Sequence, residues 1–169
     1  MYHVCNRGSR KGLLFTAPQD YIAFLRRLAE ALALFDMRIL AYCLMPNHWH
    51  FMLWPRQDGD LSEFMHWLTG THAGDWRRGS DTIGEGAVYQ SRFRGIPILD
   101  SYQLVSVRRY VERNPVAAHL VRRAQDWRWS SAAEDSFREI EIIEGPCPGP
   151  ADWLQYVNAD NPEPVEGDS

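Results

Sequence analysis

The sequence predicts an α+β fold: a ferredoxin-like, split βαβ antiparallel sheet with helices on one face and an added helix available to the other. Three observations predict it. The segments follow the order strand, helix, strand, strand, helix, strand, helix; capping signals precede the three long helical segments; and Met45-Pro46-Asn47 makes a turn between two apolar strands. With 169 residues, 45% hydrophobic and 12% aromatic, the chain can bury the core of one compact domain.

Tyr2 to Arg7 alternates weakly and stops at Gly8, so a first strand is expected there, opening into a polar loop through Gly12. Thr16-Ala17-Pro18-Gln19 has capping-box spacing, and Ile22, Leu25, Leu28 and Leu32 recur behind it at a helical period. Met37 to Leu44 reads as the second strand. Asn47 to Trp54 returns as the third and should be central, with Trp49, Phe51 and Leu53 on the face opposite His48 and His50. Asp60-Leu61-Ser62-Glu63 opens a helix to about Arg78, whose apolar stripe is Leu61, Phe64, Leu68 and Trp76. After a glycine-rich loop from Gly79 to Gly86, which would suit a lid, Arg92 to Leu99 reads as the fourth strand. Asp100-Ser101-Tyr102-Gln103 caps a helix expected to end near Asn114, because a residue before proline disfavours helical geometry; a short helix from Val116 to about Arg122 should follow.

Residues 1–133 are expected to form the domain, and residues 134–169 an acidic appendage, partly disordered, interrupted by Gly145-Pro146-Cys147-Pro148-Gly149-Pro150. The net charge of −4 hides a division. Residues 1–132 hold 17 Arg/Lys against 12 Asp/Glu, or +5, whereas residues 133–169 hold 1 against 10, or −9. Lys11 is the single lysine among 18 cations, and arginine's planar fork suits bidentate contacts to phosphate, which fits a nucleic-acid partner. Three scattered cysteines, Cys5, Cys43 and Cys147, suggest neither a disulfide framework nor a Cys-x-x-Cys zinc site. Apolar stretches are too short to span a membrane and the start Met1-Tyr2-His3 lacks a signal peptide's apolar run, so a cytoplasmic protein with no membrane partner is expected.

His48-Trp49-His50 carries the chemistry. A strand projects residues i and i+2 from one face, so two imidazoles converge there; a polar groove without a metal would account for them as well. Tyr110 and Asn114 lie one helical turn apart, about 40° in projection, at the margin of the Leu104, Val107, Val111 stripe. Taken singly, a half-buried tyrosine and a helix-terminal asparagine explain those two positions. Together the four supply a mixed N/O site for Mg²⁺ or Mn²⁺, with His48, His50 and Asn114 as ligands and the Tyr110 phenol as nucleophile on phosphorus. Arg92, Arg94, Arg108, Arg109 and Arg113 are candidates for holding phosphates, and Arg7, Arg10 and Lys11 form a second basic cluster. Trp54, Trp67 and Trp76 are candidates for stacking on bases. His3, His66, His72 and His119 are expected to be non-ligands.

Leu40-Ala41-Tyr42-Cys43-Leu44-Met45-Pro46-Asn47-His48-Trp49-His50 closely resembles the HUH segment of REP-associated tyrosine transposases, relatives of the IS200-type transposases. Asn6-Arg7-Gly8, Tyr89-Gln90-Ser91-Arg92-Phe93, Arg109 through Pro115 and Trp127-Arg128-Trp129-Ser130-Ser131 resemble that family in the same order. The resemblance implies an HUH-type sheet with an added catalytic helix, His48 and His50 as metal ligands, Tyr110 as nucleophile and Asn114 in place of the third ligand. It further implies cleavage of single-stranded, hairpin-forming DNA through a 5′-phosphotyrosine, with a homodimer or a monomer as the working unit. Departures are Tyr89 where tryptophan is common, and Ala117 and His119 where arginine and glycine are frequent. The resemblance starts at the first strand, without the N-terminal extension through which relatives read a guide sequence. That favours, as the alternative expectation, a domesticated, catalytically silent hairpin-DNA-binding protein; a hydrolase of small phosphoesters is a third, which the basic body disfavours.

Overall fold

Four antiparallel strands form one sheet in the order β2-β3-β1-β4: β1 (Tyr2–Arg7), β2 (Arg38–Met45), β3 (His48–Trp54) and β4 (Arg94–Pro97). This computed structural model describes residues 1–57, 59–79 and 86–160, so the interior of the expected glycine-rich lid, and residues 161–169, lie outside the described residues. The helices are α1 (Pro18–Leu34), α2 (Asp60–Gly79), α3 (Ser101–Ala117) and a short α4 (Trp153–Asn158). Strand β3 is central, as expected, with β1 on one side and β2 on the other.

The alternation of β3 divides the core. Trp49, Phe51 and Leu53 are fully buried with Val4, Tyr42 and Leu44 under α1 and α2, through Phe24, Leu25, Leu28, Phe64 and Leu68. On the other face Met52 joins Leu40, Ala41, Cys43 and Met45 beneath Leu104, Val105 and Val111 of α3. Leu40 and Ala41 both serve this second face because the pairing slips between Ile39, opposite Leu53, and Ala41, opposite Met52: a bulge at Leu40. Among the described residues, no helix is long and apolar enough to cross a membrane.

Helix α1 begins one residue later than its expected capping box. Pro18 takes the first helical position, and the Asp20 carboxylate accepts from the Thr16 and Ala17 backbone amides at 2.7 and 2.9 Å and from the Thr16 hydroxyl at 2.8 Å. The buried stripe turns accordingly to Tyr21, Phe24, Leu25, Leu28 and Ala31, leaving Ile22 and Leu32 half-buried. The expected box at α3 is formed: Asp100 accepts from the Gln103 amide at 2.7 Å, and the Gln103 side chain accepts from the Leu99 amide at 3.0 Å.

Two expectations about α3 are corrected. The helix does not end at Asn114 but continues through Pro115 to Ala117, and no helix spans Val116 to Arg122. Proline's fixed φ is helical and its missing N–H forfeits one bond, a limited loss in a last turn whose Pro115 ring is buried. The end is a Schellman arrangement: His119 N–H donates to the Val116 carbonyl and Leu120 N–H to the Pro115 carbonyl, with His119 at φ 57°. His119 stands in the left-handed conformation that glycine adopts without strain, which explains why glycine suits this position.

The chain after α3 packs back on the sheet and on α3, first through residues 127–131 of the expected domain and then through Ile142 and Trp153 beyond it. Trp129 O accepts from Leu44 N at 2.8 Å and Tyr42 O from Ser131 N at 2.9 Å, so the Trp127–Ser131 stretch lines the outer edge of β2; Ile142 bridges to Ile39 on the same edge. Buried Glu112 of α3 accepts from the Ser131 hydroxyl at 2.8 Å and from the Trp153 indole, tying α3, this stretch and α4 together.

Candidate active site on the open face of the sheet

Antiparallel pairing puts Cys5 directly opposite His50 and Arg7 opposite His48, so alternate residues of β1 and β3 share one face near the start of β3. Beyond the end of the Val111 contact, Tyr110 of α3 reaches over that face. The rings of His48 and His50 are 5.0 Å apart and nearly perpendicular, and the Tyr110 ring lies 5.4 Å from His50, also perpendicular. Asn114, one turn beyond Tyr110, is hydrogen-bonded to His48. The four residues singled out in the sequence are therefore brought together by the fold. His50 is only 6% exposed, whereas Tyr110 is 53% exposed and open to a ligand.

Each imidazole has a partner at Nδ1. His48 Nδ1 lies 2.7 Å from Asn47 Oδ1, and His50 Nδ1 lies 3.0 Å from His3 Nε2. With the ring proton at Nδ1 in both, donated to those partners, each Nε2 keeps a lone pair. Burial, then the charge of Arg7, lowers the His48 pKa, an effect opposed by its bond to Asn114. His50 is held down to about 3, chiefly by burial and then by His48, His3 and Arg7. Both rings are thus neutral at physiological pH, the form that coordinates a metal, and the amide of Asn114 adds a hard oxygen. This mixed N/O donor set can hold a divalent ion.

His3, expected to be a non-ligand, stands against the site. It lies on the same face of β1 as Cys5 and Arg7, its ring stacks on His50 at 5.2 Å and meets the Tyr110 ring edge-on at 5.6 Å. The signal was available: His3 and Cys5 are two apart on the strand that this topology sets beside β3. His72, set aside as a non-ligand, is a buried structural group whose Nδ1 lies 2.6 Å from the Tyr89 hydroxyl.

The arginines divide into two sets. Arg7, Arg92 and Arg94 line a cavity of about 360 Å³ together with Cys5, Asn6, Gln90, Ser91, His48, His50 and Tyr110. Arg108, Arg109 and Arg113 turn away from it. Arg109 donates to the carbonyls of Tyr156 and Ala159, and Arg113 to those of Val157 and Asn158 and to the Asp160 carboxylate. Arg108 stacks on Trp153 at 4.4 Å with its Nε 3.6 Å from Glu112. Their place near Tyr110 in sequence made them candidates for phosphate contacts; in the structure Arg109 and Arg113 bond the C-terminal segment and Arg108 stacks on its Trp153. Of the tryptophans, Trp54 is covered by the Arg38 guanidinium at 3.7 Å, and Trp67 and Trp76 pack half-buried against the core.

Comparison with known proteins gives the family and the fold. The chain matches the family model of IS200-like transposases over residues 1–114. No curated protein matches it significantly. Among solved structures, a REP-associated tyrosine transposase bound to a REP hairpin superposes with a TM-score of 0.64 at 17% identity, covering 86% of this chain and 88% of that one. A putative transposase from Deinococcus radiodurans R1 gives 0.50 at 13% identity, covering 66% and 87%. At these identities the likeness is one of fold.

Proposed function

The chain belongs to the IS200-like transposase family, and from that premise we infer that this transposase cuts and rejoins single-stranded, hairpin-forming DNA through Tyr110. His48, His50 and Asn114 would hold its divalent ion, Mg²⁺ or Mn²⁺. The observation that carries the reading is the exposed Tyr110 ring lying 5.4 Å from the buried ring of His50, which is itself 5.0 Å from the half-buried ring of His48. That a structural relative holds a REP hairpin supports the choice of substrate. The activity is assigned to the cytoplasm.

The phenolic oxygen of Tyr110 forms the bond to phosphorus as the bond from phosphorus to the 3′ oxygen breaks, leaving a 5′-phosphotyrosine and a free 3′-hydroxyl. The phenol's proton passes to water, since no carboxylate among the described residues lines the cavity, and the departing 3′ oxygen takes a proton up. A bound Mg²⁺ or Mn²⁺ supplies Lewis-acid stabilisation of charge on the non-bridging oxygens. Arg7, Arg92 and Arg94 hold the flanking phosphates and so fix the attacked one within reach of the phenol. Asn6, Gln90, Ser91 and Arg92 also line a larger groove, about 1120 Å³, that contains Trp67 and Phe93 and gives unpaired nucleotides a route away from the site. Because the phosphotyrosine conserves the phosphodiester's energy, a 3′-hydroxyl can reverse the step without ATP.

The test is incubation with single-stranded hairpin oligonucleotides and Mn²⁺ or Mg²⁺, followed by denaturing electrophoresis. A covalent adduct is expected, absent in Tyr110→Phe and strongly reduced in His48→Ala. Hairpin binding with no adduct under any metal would instead identify a silent binding protein.

A further inference from the structure

We propose that His3, Cys5 and His50 form a second, competing metal site that takes a thiophilic ion such as Zn²⁺ and switches the transposase off. The three ligand atoms lie within 4.8 Å of one another on one face of the sheet. His3 and Cys5 are two apart on β1, and Cys5 sits directly across from His50 on β3, so the backbone itself holds the three side chains together. An N₂S donor set suits Zn²⁺ and is foreign to Mg²⁺, which takes oxygen. The spacing is close to what zinc needs. Two imidazole nitrogens on one tetrahedral zinc stand about 3.3 Å apart, from bonds of about 2.0–2.1 Å, and His3 Nε2 and His50 Nδ1 are 3.0 Å apart. A few tenths of an ångström of opening, with closure of the Cys5 side chain, completes three ligands. Water from the adjoining cavity, which Cys5 lines, supplies the fourth.

Competition follows from the chemistry of one imidazole. A neutral ring carries one proton and one free lone pair. Zinc on Nδ1 of His50 sends the ring proton to Nε2, through water, and Nε2 then has no lone pair for Mg²⁺ or Mn²⁺. The Cys5 thiol gives its proton to solvent on binding. The two sites therefore cannot be filled together, and the switch, though not the zinc site, rests on the function proposed above.

Cobalt(II) reports on the site without any DNA. Titrated into the metal-free protein, it should give the intense visible bands of a tetrahedral ion and a near-ultraviolet thiolate-to-cobalt charge-transfer band. Cys5→Ser should abolish the charge-transfer band, and Cys147→Ser, outside the cluster, should retain it; stoichiometric zinc should bleach both features. In Mn²⁺-supported adduct formation, zinc should inhibit Cys5→Ser roughly 100-fold more weakly than the unaltered protein, each scored against its own zinc-free rate, since loss of an outer-shell partner alone costs about 10–100-fold. Absence of the charge-transfer band, or its survival in Cys5→Ser, overturns the site. Equal zinc sensitivity of the two proteins overturns the switch. A Cys5-dependent band with no adduct under any metal upholds the site and overturns the nuclease reading instead.

Discussion

His72 offers a quantitative test of the packing between α2 and the segment leading to β4. Its ring is 6% exposed, and burial holds its pKa down to about 4 against an ordinary 6.5, with the carboxylates of Asp75 and Asp20 opposing the effect more weakly. Between those pH values the unfolded chain binds more protons than the folded one, so stability is complete above 6.5 and falls as the pH drops toward 4. At 1.36 kcal/mol per unit the whole loss is about 3 kcal/mol, and about 2 kcal/mol of it is complete by pH 5. His50, held down to about 3, acts in the same direction with a similar loss. Urea unfolding of metal-free protein at pH 7 and pH 5 measures the sum. His72→Gln keeps a hydrogen-bonding group near the Tyr89 hydroxyl without a titrating ring, and should shrink the pH 7 to pH 5 difference by about 2 kcal/mol. An unchanged difference in the variant would refute the assignment of a buried, neutral His72, whatever the variant's absolute stability.

Two further predictions concern α3. His119→Gly removes a left-handed side chain at the helix end and should stabilise the protein by about 1 kcal/mol, read as a higher urea midpoint with hairpin binding unchanged. The two sets of arginines should separate cleanly. Arg92→Ala and Arg94→Ala should each weaken hairpin binding and lower the salt slope of log K by about 1. Arg109→Ala and Arg113→Ala should leave that slope alone and raise amide exchange in Trp153–Asn158; a reduced slope for this second pair would place them on the DNA after all.

The order of elements and the four candidate site residues were legible because each depends on a period. Strand alternation set His48 and His50 on one side and Trp49, Phe51 and Leu53 on the other, and the helical turn set Tyr110 above Asn114. What escaped the sequence depends on neighbours distant along the chain. His3 acquires meaning only once β1 lies beside β3, and the arginines of α3 only once α4 supplies carbonyls for them. The run of α3 past Asn114 escaped for a related reason: local preference before proline argues for a stop, while the Asn114 bond to His48 and the buried Pro115 ring are tertiary facts.

The central position of β3 distributes freedom unevenly across the site. Its imidazoles ride on a strand laced to neighbours along both edges, while the phenol rides on a helix resting on a patch of aliphatic side chains, with an outer brace of arginine-to-carbonyl bonds. Any adjustment within the site therefore falls to α3, which carries both Tyr110 and Asn114 and can tilt on its aliphatic seat while the two imidazoles stay fixed. A lesion that loosens the brace should displace the phenol and the Asn114 amide together, long before it disturbs the pair of rings on the strand.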